Sequence, residues 1–524
     1  MSEMNGTPQL QEMQENNRLI RWLNAIERVG NKLPQPFFLF LYFAIAIMII
    51  SYLAQGTSVE VERAVGGEMQ KVTISVVNLL NPNYIRNILT NWVSIYVNFP
   101  PLGIVMVMML AIGYAQYSGF FDSFMKNTLI NAPHYLVTFA LCFVSATSSI
   151  ASNAGIIFSP TIGAALFAAL GRNPILGALA GYATAHGSFS ATLVPSATDA
   201  MLAGITQAVT DTMGFHNTAQ TSPLNNYYFL FVSIFTISIT ATFVTEVISS
   251  KVVRQGITSI NVGTESTPAE RRGLRWAFVG FVLYAVILLA LTVPENAFFR
   301  NDEGYLTPSS PLIDGIVAVL FFFFIFVGTG YGLGAGTITQ SADVVTYMGK
   351  GISDSISFFA IAFPSALFIR FFSDSRLADI ISSRGADLLM ATNFTGIPLI
   401  IMFMLFVTFT NLFMTSASAK WLILAPIFVP MFYQIGWTPA FTQMVYRISD
   451  SAANPIAPIN IFLPIVLGIM NRYKKPEDPD FGLGTLISYG IPYSAAFFIV
   501  MTLTLFVWMF FNIPLGPGVE LFVQ

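Results

Sequence analysis

Residues 37–54 carry no charge, and a helix of that length, rising about 1.5 Å per residue, is long enough to cross a hydrocarbon core of about 30 Å. Similar runs recur at 102–120, 227–244, 276–293, 311–333, 356–372 and 487–511, charged only at Asp314 near the start of 311–333 and at Arg370 near the end of 356–372. This pattern leaves the chain few choices. Backbone groups in hydrocarbon must be satisfied internally, and uncharged runs this long do so as helices. Composition points the same way, because 54% of the 524 residues are hydrophobic and 10% are charged, against about 25% charged in soluble domains. Two further long segments, 174–204 and 439–469, are broken by Gly, Pro and polar residues. In chain order the nine segments define expected spans TM1 to TM9, with TM3 and TM8 the broken ones. The first 35 residues are polar, so the first apolar run reads as a retained span rather than a cleaved leader. The single cysteine, Cys142, lies within an apolar run and reads as a small core residue.

Lys and Arg in short flanks stay on the cytoplasmic side. Arg18, Arg21, Arg28 and Lys32 precede TM1; Lys251, Arg254, Arg271, Arg272 and Arg275 separate TM4 from TM5; Arg472, Lys474 and Lys475 separate TM8 from TM9. Placing all three clusters inside requires an even number of crossings between them, which four and four satisfy. Two apolar segments, 135–170 and 394–433, remain. Each has a small, polar centre, with Ser145, Thr147, Ser148, Ser149, Ser152 and Asn153 in the first and Asn411, Thr415, Ser416, Ser418 and Lys420 in the second. A hairpin that dips in and returns preserves the parity, so both read as re-entrant hairpins whose tips line a site.

The hairpins also mark a repeat. Gly171-Arg172-Asn173-Pro174 follows the first and Gly436-Trp437-Thr438-Pro439 the second, an offset of 265 (436 − 171), and the same offset carries Asn153 onto Ser418. Five crossings separate the start of TM2 from the start of TM7, so the second copy is inverted. The expected organisation is therefore a cytoplasmic segment 1–35, TM1 with an outer loop at 36–98, a first repeat at 99–248, a cytoplasmic linker at 249–274, TM5 and TM6 at 275–353, and a second repeat at 354–524. The fold class expected is all-α, with nine transmembrane helices and two re-entrant hairpins. The N-terminus is expected in the cytoplasm and the C-terminus outside.

Ionisable groups inside a bilayer are costly and need a partner or a purpose. Asp450 follows Arg447 by one helical turn and precedes the helix-breaking run 451–458. It reads either as a structural partner of that arginine or as a carboxylate offered at an unwound helix. Asp199 reads as a cap or a site residue, and His186 as a packing residue or a proton relay. Lys420 beside Trp421 could draw in an anion or snorkel to the outer interface. Ser152, Asn153 and the TM3 break at Gly187 and Ser188 offer hard oxygen ligands, a candidate Na⁺ site.

Other classes fit less well. The three histidines, at 134, 186 and 216, are too far apart for H-E-x-x-H, and no G-x-x-x-x-G-K-[ST] loop is present, so neither metalloprotease nor ATPase chemistry is expected and the chain does not read as an enzyme. A net charge of −3 without a basic face argues against nucleic acid as a partner. Broken helices paired with hairpins favour an occluding site over a continuous pore. The reading is a secondary transporter with a small-molecule substrate, a coupling ion (Na⁺ or H⁺), and the bilayer as its surroundings.

Residues 26–34 (IERVGNKLP), 424–432 (LAPIFVPMF), 447–451 (RISDS) and 513–518 (IPLGPG) resemble the p-aminobenzoyl-glutamate transporter (AbgT) family, and the similarity extends over nearly the whole length. The resemblance implies a homodimer in a bacterial inner membrane, with nine spans and two hairpins, related to divalent-anion/Na⁺ symporters and of elevator type. It implies p-aminobenzoyl-glutamate or p-aminobenzoate as substrate, imported or exported, and for some members the export of sulfonamide antimetabolites. The family's important positions match Asp199, Ser418, Trp421, Pro439, Asp450 and Pro458. Asn153 stands where relatives have Asp, and Lys420 where they have a small apolar residue, a shift of charge that bears on ion stoichiometry and substrate. For an arylamide with a glutamate tail, Trp421 would supply a ring face, Lys420 and Ser418 the donors, and Asp450, with Asn454 across the TM8 break, the acceptor.

Overall fold

The computed structural model describes residues 34–523 except 66–67, 131–132, 134–135, 215–217, 258–265 and 308–309. Residues 26–33 of the family-like stretch before TM1 therefore lie outside the described part. Helix α1 (Pro36–Leu53) is followed by strands β1 (Ser58–Val65) and β2 (Glu68–Ser75), and by short helices α2 (Pro82–Thr90) and α3 (Trp92–Val97). The first repeat comprises α4 (Pro100–Tyr117), α5 (Phe120–Ile130), a hairpin of α6 (Val137–Thr147) and α7 (Ser152–Ala169), a broken pair α8 (Pro174–Gly187) and α9 (Ala197–Thr212), and α10 (Tyr227–Phe243), which continues through a π turn to Val252. Then come α11 (Pro268–Thr292), α12 (Ile316–Ala335) and α13 (Ser341–Ser353). The second repeat has the same order: α14 (Ile356–Asp374), α15 (Leu377–Ala391), a hairpin of α16 (Gly396–Asn411) and α17 (Ala417–Gln434), a broken pair α18 (Pro439–Ala453) and α19 (Leu463–Arg472), and α20 (Leu483–Phe510).

Seven helices among the described residues are long and apolar enough to cross a membrane: α1, α4, α10 with its extension, α11, α12, α14 and α20. The two expected spans missing from that set, TM3 and TM8, are each split into two helices, as their Gly and Pro content predicted. The repeat offset also has a structural counterpart. The second hairpin arms, α7 and α17, differ by 265 at both ends (417 − 152 and 434 − 169), as do the starts of α8 and α18 (439 − 174).

Three features depart from the expectation. The chain is not all-α, because the loop after α1 folds as an antiparallel pair with Ser58 opposite Ser75 and Val65 opposite Glu68. The run SVEVERAV largely alternates with a period of two, the strand signature, a weaker signal than the long apolar helical runs around it. Helix α11 begins at Pro268 rather than near 276, since a capping box between Thr267 and Glu270 starts it in polar sequence ahead of the apolar run. Helices α5, α13 and α15 lie between the expected spans and were not anticipated, being too polar or too short to register as spans.

The loop after α1 is fastened to the second repeat. Val77 N donates to Ser375 O (3.0 Å), Tyr84 Oη to Asp374 Oδ2 (2.9 Å) and Tyr96 Oη to Phe359 O (2.8 Å). Arg370 pairs with Asp374 (2.8 Å) and Arg376 with Asp379 (3.6 Å). Helix α11 turns most of its apolar surface outward, with 11% of its apolar window buried, whereas every residue of α8 and of α18 is buried. The core of the molecule is thus built on the two broken segments. Helices α7 and α8 approach so closely that a Cβ on Gly163 would lie 2.3 Å from Gly177 O, and one on Gly177 2.2 Å from Gly163 O. Only glycine at both positions permits this contact, which fixes the first hairpin against the first broken segment.

Candidate functional site

Gln443, Arg447, Asp450 and Asn454 follow one another at spacings of four, three and four, which places them on a single face of α18. Thr438 starts this helix, accepting from Phe441 N (3.2 Å) with Pro439 at the first turn. Beyond Ala453 a short 3₁₀ turn at Asn454–Ile456 ends it, because Pro455 and Pro458 lack the N–H that would continue the ladder. In the first repeat, Asn173 caps α8 through Ile175 N (3.1 Å), and the helix stops at Gly187. A capping box of Ser196 and Asp199 starts α9.

The two breaks meet, and side chains of α18 satisfy the backbone groups freed in the first break. Ser451 Oγ donates to Gly187 O and accepts from Ser190 N (3.1 Å). Arg447 Nη2 donates to Phe189 O (2.7 Å), and Asn454 Nδ2 to His186 O (3.5 Å). In return Tyr182 Oη donates to Pro455 O (3.1 Å). Non-helical backbone at this depth requires such partners.

Two buried ion pairs stand on this framework. Arg447 Nη2 lies 2.7 Å from Asp199 Oδ1, with both side chains at most 2% exposed, while Asp199 Oδ2 accepts from Ser196 N (2.6 Å) and Ser196 Oγ (2.7 Å). Lys420 Nζ pairs with Asp450 Oδ1 and donates to Asn411 Oδ1. Asn411 Nδ2 donates to Asn454 Oδ1 (2.9 Å), and Asn454 Nδ2 to Asp450 Oδ2 (3.4 Å), which closes a ring across the second hairpin and the second break. Arg447 keeps Nε and Nη1 buried without a hydrogen-bond partner, and Ser190 Oγ nearby is likewise unpartnered.

These contacts revise several readings of the sequence. Asp450 is not the partner of Arg447; the arginine reaches across to the first repeat and the aspartate to the second hairpin. Lys420 does not snorkel, since its ammonium is matched inside the protein by Asp450. Asp199 is both a cap and an ion-pair partner. The ring of Trp421 is fully buried and stacks on Tyr446 (centroids 4.7 Å, 28°), with Nε1 donating to Thr206 Oγ1 (3.0 Å) and Thr206 Oγ1 donating to Gln443 Oε1 (2.6 Å). The open ring face expected of Trp421 is therefore covered. Ser418 is half-buried with Oγ 3.4 Å from Ser416 Oγ, and Pro458 is buried in the turn after the break. Pro439 stands at the far end of α18. Gly187 and Ser188 form the first break, where Ser188 Oγ donates to Ala185 O (2.8 Å). The side chains of Ser152 and Asn153 lie outside the described residues. His186 Nδ1 lies 3.1 Å from Tyr182 O, and its Nε2 is buried without a partner. Sequence reading missed Arg447 as a site residue in its own right, along with Gln443 and Thr206; the polar stripe on α18 was the signal that could have found the first two.

Beside the first hairpin, a cavity of about 430 Å³ opens between Thr147 and Ile150 at its tip, Leu193 and Val194 of the first break, and phenylalanines of α5, α11 and α12, among them Phe121, Phe278 and Phe324. Its size is within the range of small-molecule sites and its wall is almost wholly apolar.

Paired hairpins and broken helices in an apolar helical chain, with charged side chains gathered at the breaks, are the architecture of a membrane transporter. The profile of the AbgT transporter family matches residues 21–523. The chain belongs to the AbgT family. It is 32% identical over 507 residues to the p-aminobenzoyl-glutamate transport protein of Escherichia coli (strain K12), covering 96% of this chain and 97% of that protein. Its fold is similar to the YdaH transporter of Alcanivorax borkumensis (TM-score 0.84, 28% identity, 92% of this chain and 100% of the other). It is also similar to MtrF of Neisseria gonorrhoeae, described as one of a class of antimetabolite efflux pumps (TM-score 0.87, 34% identity, 95% and 100%).

Proposed function

We propose that this chain is a secondary active transporter of p-aminobenzoyl-glutamate or a related aromatic carboxylate, driven by an ion gradient. The observation that carries the reading is Arg447: a guanidinium buried where the two breaks meet, held by Asp199 and Phe189 O, with Nε and Nη1 free of partners. Those donors remain available to a carboxylate, and the aspartate limits the cost of burying the charge. Trp421 and Tyr446 reach an aromatic ring only when the second hairpin moves, because each covers the other in this arrangement. The chain works as a homodimer in a bacterial inner membrane, with nine spans, two re-entrant hairpins, the N-terminus inside and the C-terminus outside, moving its substrate in elevator fashion. Na⁺ binds at the first hairpin through Ser152, Asn153, Gly187 and Ser188; the Ser188 hydroxyl, which donates to Ala185, retains lone pairs for a cation.

The likeness to an antimetabolite efflux pump favours a second reading, the export of p-aminobenzoate and sulfonamides. Proteoliposomes distinguish the two. Labelled p-aminobenzoyl-glutamate, p-aminobenzoate and a sulfonamide are offered with Na⁺ and pH gradients imposed separately and in both directions. Import of the glutamate conjugate down a Na⁺ gradient supports the first reading. Accumulation that ignores Na⁺ and follows the proton gradient removes the Na⁺ site.

A further inference from the structure

We propose that the ammonium of Lys420 is a tethered cation, holding at the second hairpin the place an exchangeable monovalent cation would otherwise take, so that ion coupling is confined to the first hairpin. The inference rests on the reading of the two hairpins as the transport site. Lys420 Nζ sits between Asp450 Oδ1 and Asn411 Oδ1 at the hairpin break, with Asn454 bridging both partners at the end of α18. Lys420 is 2% exposed, and Asp450 and Asn411 are fully buried. A carboxylate and an amide oxygen converging on one point form a hard-oxygen site for a cation such as Na⁺, and here the cation is carried by the chain itself.

The repeat sharpens the contrast. The offset of 265 carries Asn411, Lys420 and Asp450 onto Ala146, Gly155 and Ala185, so the first hairpin has no counterpart of this triad. A side chain could not be added at Gly155, where a Cβ would lie 2.2 Å from Ser148 O. The first hairpin instead holds a buried Ser145 hydroxyl without a partner. Charge accounting agrees. The ionisable groups packed around the two breaks are Lys420, Asp450, Arg447, Asp199, His186, Tyr182 and Tyr446, and with the last three neutral the four charges cancel in pairs. Removing the ammonium leaves one uncompensated carboxylate in the interior, which a small cation can neutralise in place.

The test uses the full-length protein in detergent and needs neither substrate nor transport, so it stands even if the proposed substrate is wrong. Thermal unfolding is recorded for the parent, Lys420→Ala, Lys420→Gln and Lys420→Arg in NaCl, KCl and choline chloride at equal ionic strength and across pH. The expected result is a melting temperature that rises by several degrees with Na⁺ or K⁺ over choline in Lys420→Ala and Lys420→Gln, over and above any rise in the parent, with Lys420→Arg behaving as the parent. Neutral variants that fold equally well in choline overturn the inference. So do variants rescued by acid alone, which would assign the vacancy to a proton, and neutral variants that stay unfolded in every salt while Lys420→Arg folds, which would make the ammonium a structural counter-charge.

Discussion

Arg447 Nη2 stands 2.7 Å from Asp199 Oδ1, and this contact joins the helix before the second break to the helix that restarts after the first. The aspartate is fixed on its own side by Ser196, and the same arginine nitrogen also holds Phe189 O. Neither residue can shift without loosening the backbone of the first break. The pair is therefore a positioning element as well as a charge match. An unmatched buried donor costs about 1–3 kcal/mol, and Arg447 retains two of them.

Arg447→Lys separates these two roles. A lysine keeps a positive charge beside Asp199 but loses the free Nε and Nη1 donors, so folding should persist while carboxylate binding weakens by about tenfold or more, equivalent to roughly 1.4 kcal/mol. Arg447→Ala breaks the pair and should destabilise by about 3–5 kcal/mol. Melting temperature and substrate affinity measured on the same samples decide the matter. A lysine variant with parental affinity would remove those donors from recognition.

Asp450→Asn strands the Lys420 ammonium in the interior, and the expected loss of stability is about 3–5 kcal/mol. Folding should therefore suffer along with transport. Replacing both partners together, as Lys420→Met with Asp450→Leu, removes both charges and should recover most of the melting temperature while transport stays lost. If the double variant melts as low as Asp450→Asn, the pair is not the source of the instability.

Trp421 and Thr206 share one hydrogen bond across the two repeats, 3.0 Å from Nε1 to Oγ1. Trp421→Phe keeps a ring on Tyr446 but loses that bond, at a cost of about 0.5–1.5 kcal/mol. Thr206→Val should cost more, because it also loses the bond to Gln443 Oε1, and the double variant less than the sum, because the bond between Trp421 and Thr206 is lost in both changes. Additive losses in a double-mutant cycle would show that the bond contributes nothing of its own.

Much of this was legible in the sequence, and the physical reasons are particular. Gly187, Pro195, Pro455 and Pro458 announce the breaks because each interrupts a helix ladder by its own chemistry, and the starts of α8 and α18 follow from Asn173-Pro174 and Thr438-Pro439. The pairing of charges was not legible. Asp450 lies three positions from Arg447, which suggests a local pair, yet α18 packs between the first break and the second hairpin and the two side chains reach in different directions, to Lys420 and to Asp199. Proximity along a helix gave way to tertiary packing. The strand pair after α1 shows the opposite failure, since its period of two was present in the letters and lost beside longer signals.

Ser382, on α15, is a poor position for testing which side the second hairpin opens to, because it is 1% exposed, its Oγ donates to Asp379 O (3.1 Å), and it accepts from Gln434 Nε2 (3.1 Å). A cysteine there would be shielded on either side of the membrane. Asp387 lies on the same helix, α15, and is exposed, and Lys475 is exposed in the turn after α19. The background is favourable, because the sole native thiol, Cys142, is buried. With the basic clusters inside, a membrane-impermeant maleimide added to intact cells should label Asp387→Cys and spare Lys475→Cys, and opening the cells should make the second label as well. Labelling of Lys475→Cys from outside, with Asp387→Cys protected until the cells are opened, would invert the topology and exchange the sides on which the two hairpins open.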